Sequence, residues 1–233
     1  MKFNTVVKEI VPRTFDTSSF RFPRPDGFDF KPGQYMMVTV KSADKELVHP
    51  FSISSSPTDP NFIEFTKKLT ASEYSARLRA MKNGDWARID GPYGKFTCEC
   101  TEEKILFLAG GIGITPFHSI IKFCSDKALP TSLLLIYGCR SENEVAFKKE
   151  LEDLQLKNSN LRVILVLSEP SPTWKGKTGF VTAELIKAEV PDFRERVFYV
   201  CGPPGMIAAM QKVVAELGLP ETKLRLETFV GHI

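Results

Sequence analysis

Between residues 97 and 103 the chain changes the rhythm in which apolar and polar residues recur, and that change limits the fold more than any single motif. Before it lie short strand-like runs, Thr5 to Val11, Tyr35 to Val40, Phe51 to Ser54, Phe62 to Thr66 and Trp86 to Ile89, separated by turn residues such as Pro23 to Gly27 and Pro32-Gly33. Many short strands at this spacing predict an antiparallel barrel or sandwich. One helix interrupts them: Tyr74, Leu78 and Met81 recur at helical spacing, Thr70 and Glu73 form a capping box, and Gly84 lies past the end. After Gly94, strands and helices alternate. Strands are expected at Ile105 to Ala109, Ser132 to Tyr137, Val163 to Leu167 and Val197 to Cys201. Helices are expected from Thr115-Pro116 and near Val145 to Leu156, Val181 to Ala188 and Pro204 to Leu217. In the last of these Met206, Met210, Val213 and Leu217 form the buried stripe and Gly218 the stop. Such alternation is the grammar of a doubly wound parallel sheet. The expected domains are an all-β barrel over residues 1–99 and an α/β domain over 100–233.

A chain of 233 residues is long enough for two such cores. A formal charge of +3 is too small to imply nucleic-acid binding, and no tract has the composition of a disordered segment. Met1 to Pro12 lacks the continuous apolar core of an export signal. Ile105 to Ile121 carries no formal charge, but three glycines, Thr115, Pro116 and His118 make it a poor membrane span, so no integral membrane segment is expected. Five cysteines without regular spacing predict reduced thiols in a cytoplasm. Cys98 and Cys100 share one face if extended, which is too little for a metal centre, and none is predicted. Oligomeric state leaves no mark on the sequence.

Two segments have the form of anion seats. Gly110-Gly111-Ile112-Gly113-Ile114-Thr115-Pro116 follows a strand and opens a helix, so free amides point at whatever approaches the bare backbone. Tight helix packing is the alternative use of such a turn. Cys201-Gly202-Pro203-Pro204-Gly205-Met206 again ends a strand, where ligands of open α/β sheets gather. Taken alone, a cysteine there reads more often as inert packing than as chemistry.

These pieces, with Phe30-Lys31-Pro32-Gly33-Gln34-Tyr35, His49-Pro50-Phe51-Ser52, Gly91-Pro92-Tyr93-Gly94, Tyr137-Gly138-Cys139-Arg140 and Glu227-Thr228-Phe229, resemble the ferredoxin-NADP reductase superfamily in order and spacing. The resemblance implies a flavin-binding barrel followed by an NAD(P)-binding domain, and an NAD(P)H-dependent flavoprotein reductase. A hydride would pass from NADH or NADPH to FAD, and electrons onward to a separate redox partner such as a ferredoxin or an oxygenase component. A reductase using free FMN or FAD as substrate, or an electron-transfer subunit of a larger complex, are the alternatives. There is no Cys-x4-Cys-x2-Cys run for an iron-sulfur centre.

The same resemblance implies roles for particular residues. Ser52, Cys201 and Glu227 match the residues that surround flavin N5 and the nicotinamide ring. Where the family has Arg-x-Tyr-Ser, this chain has His49-Pro50-Phe51-Ser52, which keeps the aromatic face and loses the permanent cation. Phe65-Thr66-Lys67-Lys68 matches the next flavin-contacting strand, so Lys67 or Lys68 is expected to restore the charge, a solvated lysine pair being the other reading. Ser72, Tyr74 and Ser75 fall where a helix start holds the flavin pyrophosphate, or where serines merely cap the helix. Phe229 covers the flavin, or ends a core strand. Gly110, Gly111, Gly113, Thr115, Pro116, Gly138, Cys139, Arg140, Cys201, Gly202, Pro203 and Met206 are expected to bind the nicotinamide nucleotide. Arg140 suits a 2′-phosphate, but Glu142 and Glu144 oppose it and tip the reading toward NADH; Ser141 and Glu144 are equally a capping box.

Overall fold

The computed structural model describes residues 1–43, 45–98 and 100–229. The expected domain boundary at residue 99 and the four C-terminal residues lie outside them. The first part is antiparallel: β1 (Lys2–Val6), β2 (Glu9–Pro12), β3 (Thr17–Pro23), β4 (Tyr35–Ser42), β5 (Lys45–Ser52), β6 (Phe62–Lys68), the helix α1 (Glu73–Ala80) and β7 (Trp86–Tyr93). One sheet runs β1-β7-β4-β5 and the other β2-β3-β6, wrapped barrel-like about Phe20, Phe22, Met36, Val38, Ile53, Ile63 and Phe65. Each such fully buried side chain contributes roughly 1.5–3 kcal/mol.

The second part is α/β: β8 (Lys104–Gly110), α2 (Ile114–Asp126), β9 (Ser132–Cys139), α3 (Lys148–Lys157), β10 (Leu161–Leu167), β11 (Lys177–Thr178), α4 (Ala183–Glu189), β12 (Val197–Gly202), α5 (Pro204–Glu216) and β13 (Leu224–Thr228). Its six strands pair in parallel in the order β11-β10-β9-β8-β12-β13. Alternate residues of each strand face opposite ways. Ile105, Phe107, Leu133 and Leu135 meet Phe117, Ile120 and Ile121 of α2 on one face. Leu106, Leu108, Leu134 and Ile136 meet Ile186 of α4 and Ile207, Met210 and Val214 of α5 on the other. A strand buried on both faces needs an unbroken apolar run, which is why β8 reads Ile-Leu-Phe-Leu-Ala.

Several local expectations give way to the fold. Thr5 to Val11 is not one strand: the chain passes from one sheet to the other at Val7-Lys8, and β3, unrecognised in the sequence, pairs with both β2 and β6. The cap of α1 is Ser72, whose oxygen accepts from the Ser75 amide, and not Thr70. Ser141 makes no side-chain cap and Glu144 ends a short 3-10 turn, Glu142–Glu144, while α3 begins only after Phe147, held left-handed at φ +59°. The buried side chains of α5 include Ile207 and Val214 where Met206 and Val213 were expected. Cys100, at φ +53°, is not extended and is joined to Cys124 of α2 as a disulfide, against the expectation of reduced thiols. Topology brings residue 100 onto α2, and no spacing rule encodes that.

Polar contacts fasten the two parts together through α2. His118 Nδ1 bonds the Ser54 carbonyl at 2.7 Å and Ser119 Oγ donates to the Ser55 carbonyl at 2.6 Å. The His118 ring stacks on Phe147 with centroids 4.0 Å apart, and the Arg13 guanidinium lies 4.5 Å from that phenyl ring. Arg13 also pairs with Glu64 in the barrel and Glu150 on α3. Docking Phe147 into this seam is what delays α3, at a left-handed cost of about 1–2 kcal/mol.

Burial pushes the His118 pKa below its ordinary value of 6.5. Below that pH the unfolded chain takes up a proton that the folded chain resists, so this group's contribution is lost as pH falls. The melting temperature is expected to drop by a few degrees between about pH 7.5 and about pH 5.5. His118→Asn should fall less over the same range; an equal fall would remove this ring from the explanation.

Candidate functional site at the carboxyl edge of the parallel sheet

From β8 the chain winds outward through β9, β10 and β11, then returns to add β12 and β13 on the other side. The strand order therefore reverses between β8 and β12, and a crevice opens beyond their carboxyl ends. Two loops fill that point, Gly110–Pro116 and Cys201–Met206. Gly113 lets them meet: a Cβ there would lie 2.3 Å from the Cys201 carbonyl oxygen. At φ +52°, Gly111 turns the chain with open space beside it, and the 13-residue α2 starts directly afterward.

On the outer side of this loop is a cavity of about 460 Å³. Gly110, Gly111, Gly138, Cys139, Arg140, Pro203 and Met206 line it, all expected from the sequence. Glu144, Ser168, Phe180, Val181 and Met210 line it too, and were not expected as nucleotide contacts. Ser168 follows the last residue of β10, so the strand-end rule was the available signal. Phe180, which is 80% exposed, had no local signal.

On the inner side, between barrel and sheet, a second cavity of about 310 Å³ is lined by Tyr35, Pro50, Phe51, Ser52, Thr66, Lys67, Lys68, Ile112, Thr115, Glu227, Thr228 and Phe229. The glycine loop is thus a wall of both cavities. Parallel register sets Cys201 opposite Glu227, which places two of the three expected reacting-centre residues side by side. Ser52 Oγ and Glu227 Oε2 are buried without a hydrogen-bond partner. Burial pushes the Glu227 carboxyl up to about 7. Burial also pushes the Cys201 thiol far up, with the Glu227 charge adding to it, so Cys201 is a thiol and not a thiolate nucleophile.

The flavin-side residues divide. Phe51 lines the cavity and stacks on Phe65 at 4.4 Å, while Phe65 itself is core. Lys68 bridges Asp16 at 3.2 Å and Glu144 at 2.8 Å. Lys67 is buried on the cavity wall, its pKa lowered by burial and then by Arg79. His49 stands outside the wall with its ring edge on Tyr74, its pKa lowered by burial and by Lys67. Tyr74 donates its hydroxyl to the Val38 carbonyl inside the barrel. Ser72 and Ser75 bond one another at the start of α1. Pro116, Gly113, Cys201 and Gly202 lie behind the cavity walls as framework of the two loops.

The arrangement is a pair of clefts sharing an amide-rich loop. The inner one has aromatic walls, a buried cation, and two buried oxygens awaiting partners. A planar ring system with polar edges and an anionic tail fits it. If the Gly113 approach sets this geometry, Gly113→Ala should cost about 1–3 kcal/mol of stability by overpacking. Thermal unfolding with and without NAD⁺ is expected to show both a lower melting temperature and a smaller nucleotide-induced rise; an unchanged melting temperature would contradict the packing described.

Comparison with known proteins finds two domain families along the chain. The oxidoreductase FAD-binding domain family matches residues 2–98 and the oxidoreductase NAD-binding domain family residues 107–212. NADH-cytochrome b5 reductase 1 of Aspergillus terreus is 32% identical, over 97% of this chain and 82% of its own length. The glycine betaine monooxygenase reductase subunit of Pseudomonas aeruginosa is 27% identical over 95% of this chain, which spans 62% of that relative's length. In fold, the chain superposes on a ferredoxin NADP⁺ reductase from Neisseria gonorrhoeae with a TM-score of 0.85 at 20% identity, covering 97% of this chain and 98% of the other. With both domain families in order on the barrel and the parallel sheet, the chain belongs to the oxidoreductases that carry an FAD-binding and an NAD-binding domain.

Proposed function

We propose that the chain is an NAD(P)H-dependent flavoprotein reductase that passes electrons from FAD to a separate redox protein, a ferredoxin or an oxygenase component. The observation that carries this reading is the meeting of two clefts at one glycine loop, with the buried Ser52 and Glu227 oxygens on the inner side. When bound, FAD accepts electrons as a pair and releases them singly. The chain supplies position, dryness and charge. Ser52 offers its hydroxyl to the flavin edge. Glu227, ionised above about pH 7, opposes the positive charge that hydride loss leaves on a nicotinamide ring. Cys201, held as a thiol beside it, is a positioning residue. Lys67 supplies the cation that His49 does not, and Phe229 shields the ring site.

The names of the Aspergillus and Pseudomonas relatives, a cytochrome b5 reductase and a monooxygenase reductase subunit, support a protein acceptor. Among the described residues no helix is long and apolar enough to cross a membrane, and a nicotinamide donor fits a cytoplasmic site of action. One observation favours a second reading, in which free flavin is a substrate: His49 stands outside the cleft and replaces the family's permanent cation.

Flavin content of the purified protein separates the two. Near-stoichiometric FAD, bleached on anaerobic addition of NADH or NADPH, is expected. Colourless protein that reduces added flavin would favour the second reading, and reduction of neither bound flavin, free flavin nor dyes would end both. The rate of flavin reduction is further expected to rise with pH through about 7 as Glu227 ionises. Glu227→Gln should flatten that rise and lower the high-pH rate by roughly 10-fold to 100-fold. A pH profile unchanged by the substitution would remove Glu227 from the reaction centre.

A further inference from the structure

We propose that Cys98, Cys100 and Cys124 form a thiol–disulfide exchange site at the far end of α2, a redox switch that sets how firmly the glycine loop is held. The bond between Cys100 and Cys124 joins the segment linking the two parts to α2, across a sequence separation of 24 residues. Between them lie β8, the Gly110–Pro116 loop and most of α2, the unit that walls both clefts and grips the barrel through His118 and Ser119. The disulfide therefore closes a covalent ring around the element on which both clefts depend. Its effect on flavin reduction rests on the reductase reading above; the exchange itself does not.

Cys98 is a thiol placed to attack that bond. Its Sγ lies 3.8 Å from Cys100 Sγ, and the Cys100 amide donates to it at 3.3 Å. An amide aimed at sulfur favours the thiolate, the form that attacks a disulfide, against the opposing effect of burial. The Tyr199 hydroxyl approaches the same thiol, and Glu102 Oε1 stands 3.4 Å from that hydroxyl. Main-chain contacts fix attacker and target. The Cys98 amide donates to the Pro32 carbonyl in the barrel, and the Cys100 carbonyl accepts from Thr131 Oγ1 in the α/β part. Cys100 itself is held left-handed at φ +53°, so the chain turns and the two sulfurs come together. All three residues are buried, at 2%, 6% and 1% exposed, so a dissolved thiol reaches the bond poorly while Cys98 already touches it.

The exchange needs no outside electrons. As Cys98 Sγ attacks Cys100 Sγ, the Cys98–Cys100 bond forms, the Cys100–Cys124 bond breaks, and Cys124 leaves as the thiolate, taking up the proton that Cys98 gave. One disulfide and one thiol stand on each side of this step. α2 is then no longer tied to the linking segment. A dithiol reductant completes the opening: it gives two electrons and two protons to the Cys98–Cys100 bond and is itself oxidised to a disulfide. With the ring open, the glycine loop is held by noncovalent contacts alone, and its local opening becomes easier. Linkage makes the effect reciprocal, so a nucleotide bound on that loop protects the disulfide. In a reducing compartment a disulfide of this kind is more often a redox sensor than a permanent brace.

Peptide mapping of the purified protein tests the exchange without using the flavin. The protein is treated with limiting dithiothreitol, alkylated and digested; Cys98 and Cys100 fall in one tryptic peptide, Phe96 to Lys104. A species with Cys98 linked to Cys100 and Cys124 alkylated is expected, and the Cys100–Cys124 bond should be lost about 10-fold faster than in Cys98→Ser. Cys124→Ser should form the Cys98–Cys100 bond on treatment with diamide, whether or not Cys98→Ser folds. Equal loss in the two proteins, Cys124→Ser left as two thiols, or no Cys100–Cys124 bond in the untreated protein would each overturn the exchange site. For the switch, NAD⁺ should slow loss of the bond, and reduction should lower the melting temperature by about 5–10 °C. After anaerobic removal of the dithiothreitol, NADH should reduce the flavin several-fold more slowly than in the oxidised protein. If flavin reduction is the same in both forms, the switch is overturned while the reductase reading stands. If neither form reduces flavin, the reductase reading falls, and the mapping and the NAD⁺ protection still decide the exchange and the switch.

Discussion

Everything functional in this molecule depends on how helix α2 is fastened to the barrel. The helix opens with the glycine loop that walls both clefts, and one turn later His118 and Ser119 grip the carbonyls of Ser54 and Ser55. Those carbonyls are two and three residues beyond Ser52. A single rigid element thus holds the loop that walls both clefts against the strand end that carries Ser52. Hydride transfer tolerates little misplacement, because its rate depends on two rings held close and aligned. Loops alone would not hold that register; a buried helix with two short hydrogen bonds to backbone does.

The second constraint is the close passage of the two loops at the sheet's reversal point. Gly113 faces the Cys201 carbonyl with no room for a side chain, and β12 sets Cys201 beside Glu227. Packing that is this tight at the floor of the crevice leaves polar atoms above it without internal partners. Ser52 Oγ and Glu227 Oε2 are such atoms, and leaving them unsatisfied costs stability that a bound cofactor can return. Their burial also sets their chemistry, raising the carboxyl into the neutral range and holding the nearby thiol protonated.

Much of this was legible in the residues, and the illegible part has physical causes. The apolar run of β8, its glycine turn and the start of α2 are one local pattern, and local patterns survive folding. The proline start and Gly218 stop of α5 are of the same kind. What failed was decided by distant contacts. Phe147 turns into the seam to meet His118 and Arg13, which moves the start of α3 past the apparent capping box. Ser72 wins the cap of α1 from Thr70 because the chain arrives at that end in an extended conformation. Around the outer cavity, motif glycines stand where backbone shape matters, as at Gly110, Gly111 and Gly138. Residues that reach the cavity only by a side chain from an unrelated loop, such as Phe180, carry no local signature.

The central claim is that a flavin and a nicotinamide meet across the seam between barrel and sheet. A crystal structure of the protein with FAD and NAD⁺ tests it most directly. The account expects the two rings in contact beside Ser52 and Glu227, with the pyrophosphate of the nicotinamide nucleotide on the Gly111 to Gly113 amides. Either ring found away from that seam, with both ligands well ordered, would contradict it.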